Sequence, residues 1–129
     1  MEPGSTLERH FFRLKERFSD VVIRQDQGHR THSIYIPAVD LPAGWNKAAT
    51  AIWFTVPDGY PSAAPDCFWS EDLRFVAGGE PKNSQTSNPH LMAPPGSRWF
   101  SWHVNNWNPA TCDLCSYMST IRDRLERLE

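Results

Sequence analysis

The chain has 129 residues, 40% of them hydrophobic and 12% aromatic, with a formal net charge of −2. That is a globular composition, sized for one domain over residues 1–129 with a real core, and near-neutral charge gives no reason to expect nucleic acid or an anionic membrane as partner. No apolar run approaches the roughly 20 residues a membrane span needs. Met1-Glu2-Pro3-Gly4-Ser5 lacks the basic start and apolar centre of a signal peptide, so a cytoplasmic protein is expected.

Cysteine usage agrees. Cys67, Cys112 and Cys115 are an odd number without an export signal, which argues for reduced thiols. Cys112-x-x-Cys115 has the spacing of a metal or redox pair, and a zinc site would need Cys67 with His103 or His90 to complete it. The favoured reading is small buried residues on the inner face of a helix. No metal and no cofactor is expected.

In chain order, Ser5-Thr6-Leu7-Glu8 has the pattern of a capping box and predicts a helix starting near Thr6. Leu7, Phe11, Leu14 and Phe18 give it one apolar stripe, and Ser19-Asp20 ends it. Arg9, Arg13, Lys15 and Arg17 lie on the charged face, either as a solvated surface or as a docking surface for an acidic partner. Val21–Arg24, His32–Ile36 and Thr50–Val56 read as strands, the last covered on both faces. Pro57, Pro61 and Pro65 with Gly59 force a rigid extended crossing before a further strand at Cys67-Phe68-Trp69. Tyr60 lies over that bend as a packing residue. Gly78 to Gly96 is polar and Pro-rich and reads as a long irregular loop. After Trp107, Asn108 caps and Pro109 starts a closing helix carrying Leu114, Met118, Ile121, Leu125 and Leu128.

That order resembles the ubiquitin-conjugating (UBC) fold: α+β, with an N-terminal helix, a four-stranded antiparallel meander, a long active-site loop and one closing C-terminal helix. Tyr60-Pro61-Ser62-Ala63-Ala64-Pro65 is similar to that fold's Tyr-Pro-x-x-x-Pro element. Trp107-Asn108-Pro109-Ala110 is similar to its Trp-Ser-Pro-Ala element, and Asn88-Pro89-His90 lies where it carries His-Pro-Asn. More closely, the chain resembles a bacterial branch, the prokaryotic UBC-like family E. Leu41-Pro42-Ala43-Gly44-Trp45-Asn46, Gly59-Tyr60-Pro61 with Pro65-Asp66, and Ser101-x-His103 with Trp107 and Asp113 carry this likeness from about Thr31 to Leu128. It implies a transferase of the ubiquitin-conjugating type. The implied partners are a ubiquitin-like protein, an activating-enzyme-like protein and a JAMM-type peptidase of the same pathway. The first helix is where the activating enzyme would dock, through Arg9, Arg13, Lys15 and Arg17.

One departure shapes the candidate site. The fold's catalytic cysteine falls about eight residues before the Trp-x-Pro, where this chain has Trp99. A serine can replace a thiol if a general base lies within reach. In an extended segment Ser101 and His103 face the same side, with Cα atoms about 6.5 Å apart. A histidine near its ordinary pKa of about 6.5 is mostly neutral at pH 7 and accepts a proton. Trp99, Trp102 or Phe100 would exclude water, Asn105 or Asn106 would donate to an oxyanion, and Trp107 is a secondary site candidate. His90 is a second candidate base. The expectation is therefore an oxyester carrier on Ser101 with His103 and Asn105. The alternative is a catalytically inactive variant that binds a ubiquitin-like protein or activating enzyme as a scaffold.

Overall fold

A computed structural model describes residues 1–129. Ser5 caps helix α1 (Thr6–Arg17) by accepting the Glu8 N–H at 3.1 Å, while the Glu8 carboxylate turns back to the Gly4 N–H at 2.8 Å. Lys15 and Arg17 fall in the last turn, where cations complement the exposed carbonyls. Phe11 and Leu14 are buried, so the apolar stripe is the face that meets the core.

The sheet has six strands: β1 (Val22–Gln25), β2 (His32–Asp40), β3 (Ala49–Val56), β4 (Phe68–Ser70), β5 (Ser84–Gln85) and β6 (Arg98–Phe100). All pairings are antiparallel and the order is β1-β2-β3-β4-β6-β5. β1 to β4 neighbour one another in chain order, and two short strands, β6 and β5, make the sheet six-stranded where four strands are expected. β2 runs through Pro37 because the register shifts between Ile36 and Val39, so the missing N–H falls at the irregularity.

One face of the sheet carries Ile34, Ile36, Ile52, Phe54, Phe68 and Phe100, which join α1 and α2 (Leu114–Leu125) in a single buried cluster. The other face is aromatic. Tyr35 stacks on Trp53 at 5.3 Å, and Trp69 meets the His90 ring at 4.7 Å. β3 is therefore covered on both sides at its centre, as its continuous apolar run predicts.

The segment from Gly78 to Gly96 is more ordered than its composition predicts. Ser84–Gln85 pairs with β6, and the Asn88 carbonyl accepts the Trp69 indole N–H at 2.6 Å. The Arg98 guanidinium, fully buried, supplies its other anchor. It bonds Asp72 at 2.8 Å, Glu80 at 2.9 Å and the Ser84 hydroxyl at 2.9 Å. A buried charge is tolerated only with such partners.

The closing helix starts later than expected. Asp113 caps it and forms a reciprocal box with Ser116, so helix begins at Leu114 rather than Pro109. Asn108 instead makes a turn, its carbonyl accepting from Thr111 and Cys112 and its side chain from Ala110. Asp113 wins because Ser116 returns a bond to its backbone N–H at 3.0 Å. Leu128 lies past the helix and is exposed, yet it packs on Gly44, whose φ of +113° suits glycine. Trp45 beside it is buried and donates its indole N–H to the Leu125 carbonyl at 2.8 Å. No helix is long and apolar enough to cross a membrane.

Candidate functional site

Strands β4 and β6 position the site. Phe68 faces Phe100 and Trp69 faces Trp99 in register, with the two phenyl rings stacked at 4.7 Å. Just past that register, the Cys67 N–H donates to the Trp102 carbonyl at 3.1 Å. On the other side of β6, the Ser101 N–H donates to the Asn83 carbonyl at 2.8 Å. Ser101 is thus tied through its N–H to Asn83, half-buried just past the end of β6.

His103 is exposed, and its Nδ1 bonds the Asp66 carboxylate, not Ser101. An ionised carboxylate only accepts, so the proton sits on Nδ1 and the lone pair is left on Nε2. A carboxylate therefore holds an exposed imidazole that lies two residues after Ser101 in the chain. Asp66 is the residue that sequence reasoning missed. Its partner is 37 positions away, and only the pairing of β4 with β6 brings them together. The available signal was its place immediately before a predicted strand, at the end of the proline crossing.

Cys67, which the sequence pairs with His103 only as part of a zinc set with Cys112 and Cys115, joins them here. Its sulfur lies with the Asp66 oxygen and the His103 nitrogen in a group whose ligand atoms are all within 4.8 Å of one another. Burial pushes the Cys67 thiol up, against hydrogen bonds from the Trp102 backbone and the Trp99 side chain. Its φ of 60° is unusual for a residue with a side chain. Cys112 and Cys115 do not join this group. Cys115 instead packs against the core with its thiol raised by burial, and the Cys112 sulfur accepts the Asn108 N–H at 3.4 Å.

The remaining candidates divide. His90 is buried and both its ring nitrogens are engaged: Nδ1 accepts the Met92 N–H at 3.1 Å and Nε2 meets the Thr55 hydroxyl at 3.0 Å. With Nδ1 accepting, Nε2 must carry the proton, so this ring has no lone pair to offer. Burial lowers its pKa, which suits a neutral structural ring. Trp99 is half-buried opposite Trp69. Trp107 donates to the Pro61 carbonyl at 2.8 Å and lies 6.1 Å from the Tyr60 ring, so it clamps the proline crossing. The Tyr60 hydroxyl in turn meets His10 Nδ1 at 2.6 Å, tying that crossing to α1. Asn105 and Asn106 are exposed in the bend after His103, with Asn106 at φ 57°.

On α1, Arg9 bonds the Gly4 carbonyl and the Thr6 hydroxyl, and Arg13 pairs with Asp113 at 3.4 Å. Lys15 and Arg17 are exposed. No curated protein and no solved structure matches the chain. A family model does: the one described as prokaryotic E2 family E matches residues 9–128.

Proposed function

The chain belongs to prokaryotic E2 family E, and from that premise we propose that it carries a ubiquitin-like protein as an oxyester on Ser101. The observation that supports this most is the Asp66–His103 hydrogen bond, which leaves Nε2 of an imidazole two residues from Ser101 outside the bond, where it would serve the serine as base. The family implies a ubiquitin-like protein and an activating enzyme as partners. A JAMM-type peptidase belongs to the same proposal as the enzyme that reverses the conjugation.

The step balances as an acyl transfer. The Ser101 hydroxyl oxygen attacks the activated carbonyl at the C-terminus of the ubiquitin-like protein. Its proton passes to His103 Nε2. The bond from that carbonyl to the activating enzyme breaks, and the proton is returned to the leaving group. An acceptor amine then repeats the sequence on the ester and restores the serine. Asp66 stabilises the imidazolium that forms between the two proton transfers. Asn105 would donate to the developing oxyanion, a contribution worth about 3 kcal/mol where it has been isolated in other enzymes.

The bond chemistry tests this reading. On a denaturing gel the adduct should survive thiol reductant, yield to hydroxylamine or mild alkali, and vanish in Ser101→Ala. An adduct cleaved by reductant and lost in Cys67→Ser would put the acyl group on the thiol across the strand pair instead. A saturable complex with no covalent adduct would favour the scaffold alternative.

A further inference from the structure

We propose that Asp66, Cys67 and His103 form a binding site for a thiophilic divalent cation of the zinc class. The three side chains supply a carboxylate oxygen, a sulfur and an imidazole nitrogen, all within 4.8 Å of one another. Zinc takes this mixture of donors, with bonds of about 2.0–2.3 Å that put tetrahedral ligands about 3.5 Å apart. The approach still needed is a matter of side-chain rotation. Asp66 and His103 have side chains 63% and 62% exposed, so they are free to turn.

Cys67 is the fixed point. Its N–H is held by the Trp102 carbonyl, its carbonyl accepts the buried Tyr117 hydroxyl, and its backbone sits at φ 60°. Such a conformation persists only where its surroundings enforce it, and here it aims the sulfur at the other two donors. A thiolate selects zinc or cobalt over magnesium and calcium, which prefer oxygen. With three protein ligands and two of them at the surface, the fourth position is open to water. Binding exchanges the Cys67 thiol proton for the metal and releases that proton to solvent. The cation would also take the nitrogen through which Asp66 orients His103.

This inference stands apart from the carrier reading, because its test needs no ubiquitin-like partner. Cobalt(II) is titrated into the full chain, purified with reductant and freed of metal. The expected result is a sulfur-to-cobalt charge-transfer band with intense visible bands of tetrahedral cobalt, both bleached by zinc. Cys67→Ser should lose the charge-transfer band, and His103→Gln and Asp66→Asn should each weaken binding at least about tenfold. Cys112→Ser and Cys115→Ser should retain the spectrum. Asp66→Asn guards against misfolding as an explanation, since its side chain is mostly exposed. A spectrum without the charge-transfer band, or one kept in Cys67→Ser and lost in the Cys112 and Cys115 variants, would overturn the assignment.

Discussion

His103 Nδ1 donates to the Asp66 carboxylate, which leaves Nε2 outside the bond, while His90 Nδ1 accepts the Met92 N–H. Two histidines of the same composition are thus given opposite capacities by one hydrogen bond each. Asp66→Asn preserves shape but allows the ring to turn or hold the wrong tautomer. We expect it to slow ester formation on Ser101 by roughly 10²-fold, with binding of the ubiquitin-like protein unchanged. Single-turnover kinetics beside an equilibrium binding measurement separate the two. A rate equal to the parent's would remove Asp66 from the mechanism. Ser101-x-His103 was legible in the sequence as a spacing, its shared face an expectation for an extended segment. Asp66 was not, because its relation to that stretch exists only through the cross-strand register of Phe68 with Phe100; Cys67 was paired with His103 only within a four-ligand set that the fold does not assemble.

At the scale of elements, α1 and α2 hold the two ends of the proline crossing. His10 reaches Tyr60 from α1, and Tyr117 of α2 donates to the Cys67 carbonyl. Arg13 joins the helices through Asp113, the residue that caps α2. Charge reversal at Arg13 would therefore disturb the cap as well as any docking surface. Lys15→Glu with Arg17→Glu isolates the surface. This pair should slow charging by the activating enzyme several-fold and flatten its salt dependence, at a stability cost of about 1–2 kcal/mol from the lost complement to the helix end. Charging with the parent's rate and salt slope would exclude α1 as the docking face. Trp45→Phe tests the other end of α2. It keeps the ring stacked on Phe75 and removes the N–H to the Leu125 carbonyl, a loss of about 1 kcal/mol in denaturant titration. An unchanged midpoint would show that water replaces the bond.

Both helices were legible from the spacing of their apolar residues. The start of α2 was not, since Asn108 and Asp113 are both good caps. What decides between them is the Ser116 hydroxyl returning a bond to Asp113. β5 was illegible for a different reason. A two-residue strand has no periodicity, and it exists because β6 offers an edge.

For the whole molecule, burial lowers the pKa of His10, His32 and His90 from the ordinary 6.5. Below about 6.5 the unfolded chain takes up protons that these rings refuse in the fold. Stability is therefore lost as pH falls from about 6.5 toward their folded values. Asp72 and Asp113 add to this further into acid. Burial alone would raise them, but hydrogen bonds from Arg98 and Arg74 to Asp72, and from Ser116 and Arg13 to Asp113, hold both below the usual range. Their contribution is present above the ordinary carboxylate pKa and disappears as they protonate. Thermal melts should give a lower midpoint at pH 5.5 than at pH 7.5. An equal or higher midpoint at pH 5.5 would contradict that account of the buried rings.

The carrier reading itself is tested most directly by intact-mass spectrometry under denaturing conditions. The chain is incubated with its activating enzyme, the ubiquitin-like protein and ATP, and the products are then mapped by peptide. The predicted result is an ATP-dependent gain equal to the ubiquitin-like protein less one water, located on the peptide holding Ser101. No covalent gain, with the activating enzyme shown to be charged in the same mixture, would contradict it and leave a domain that only binds.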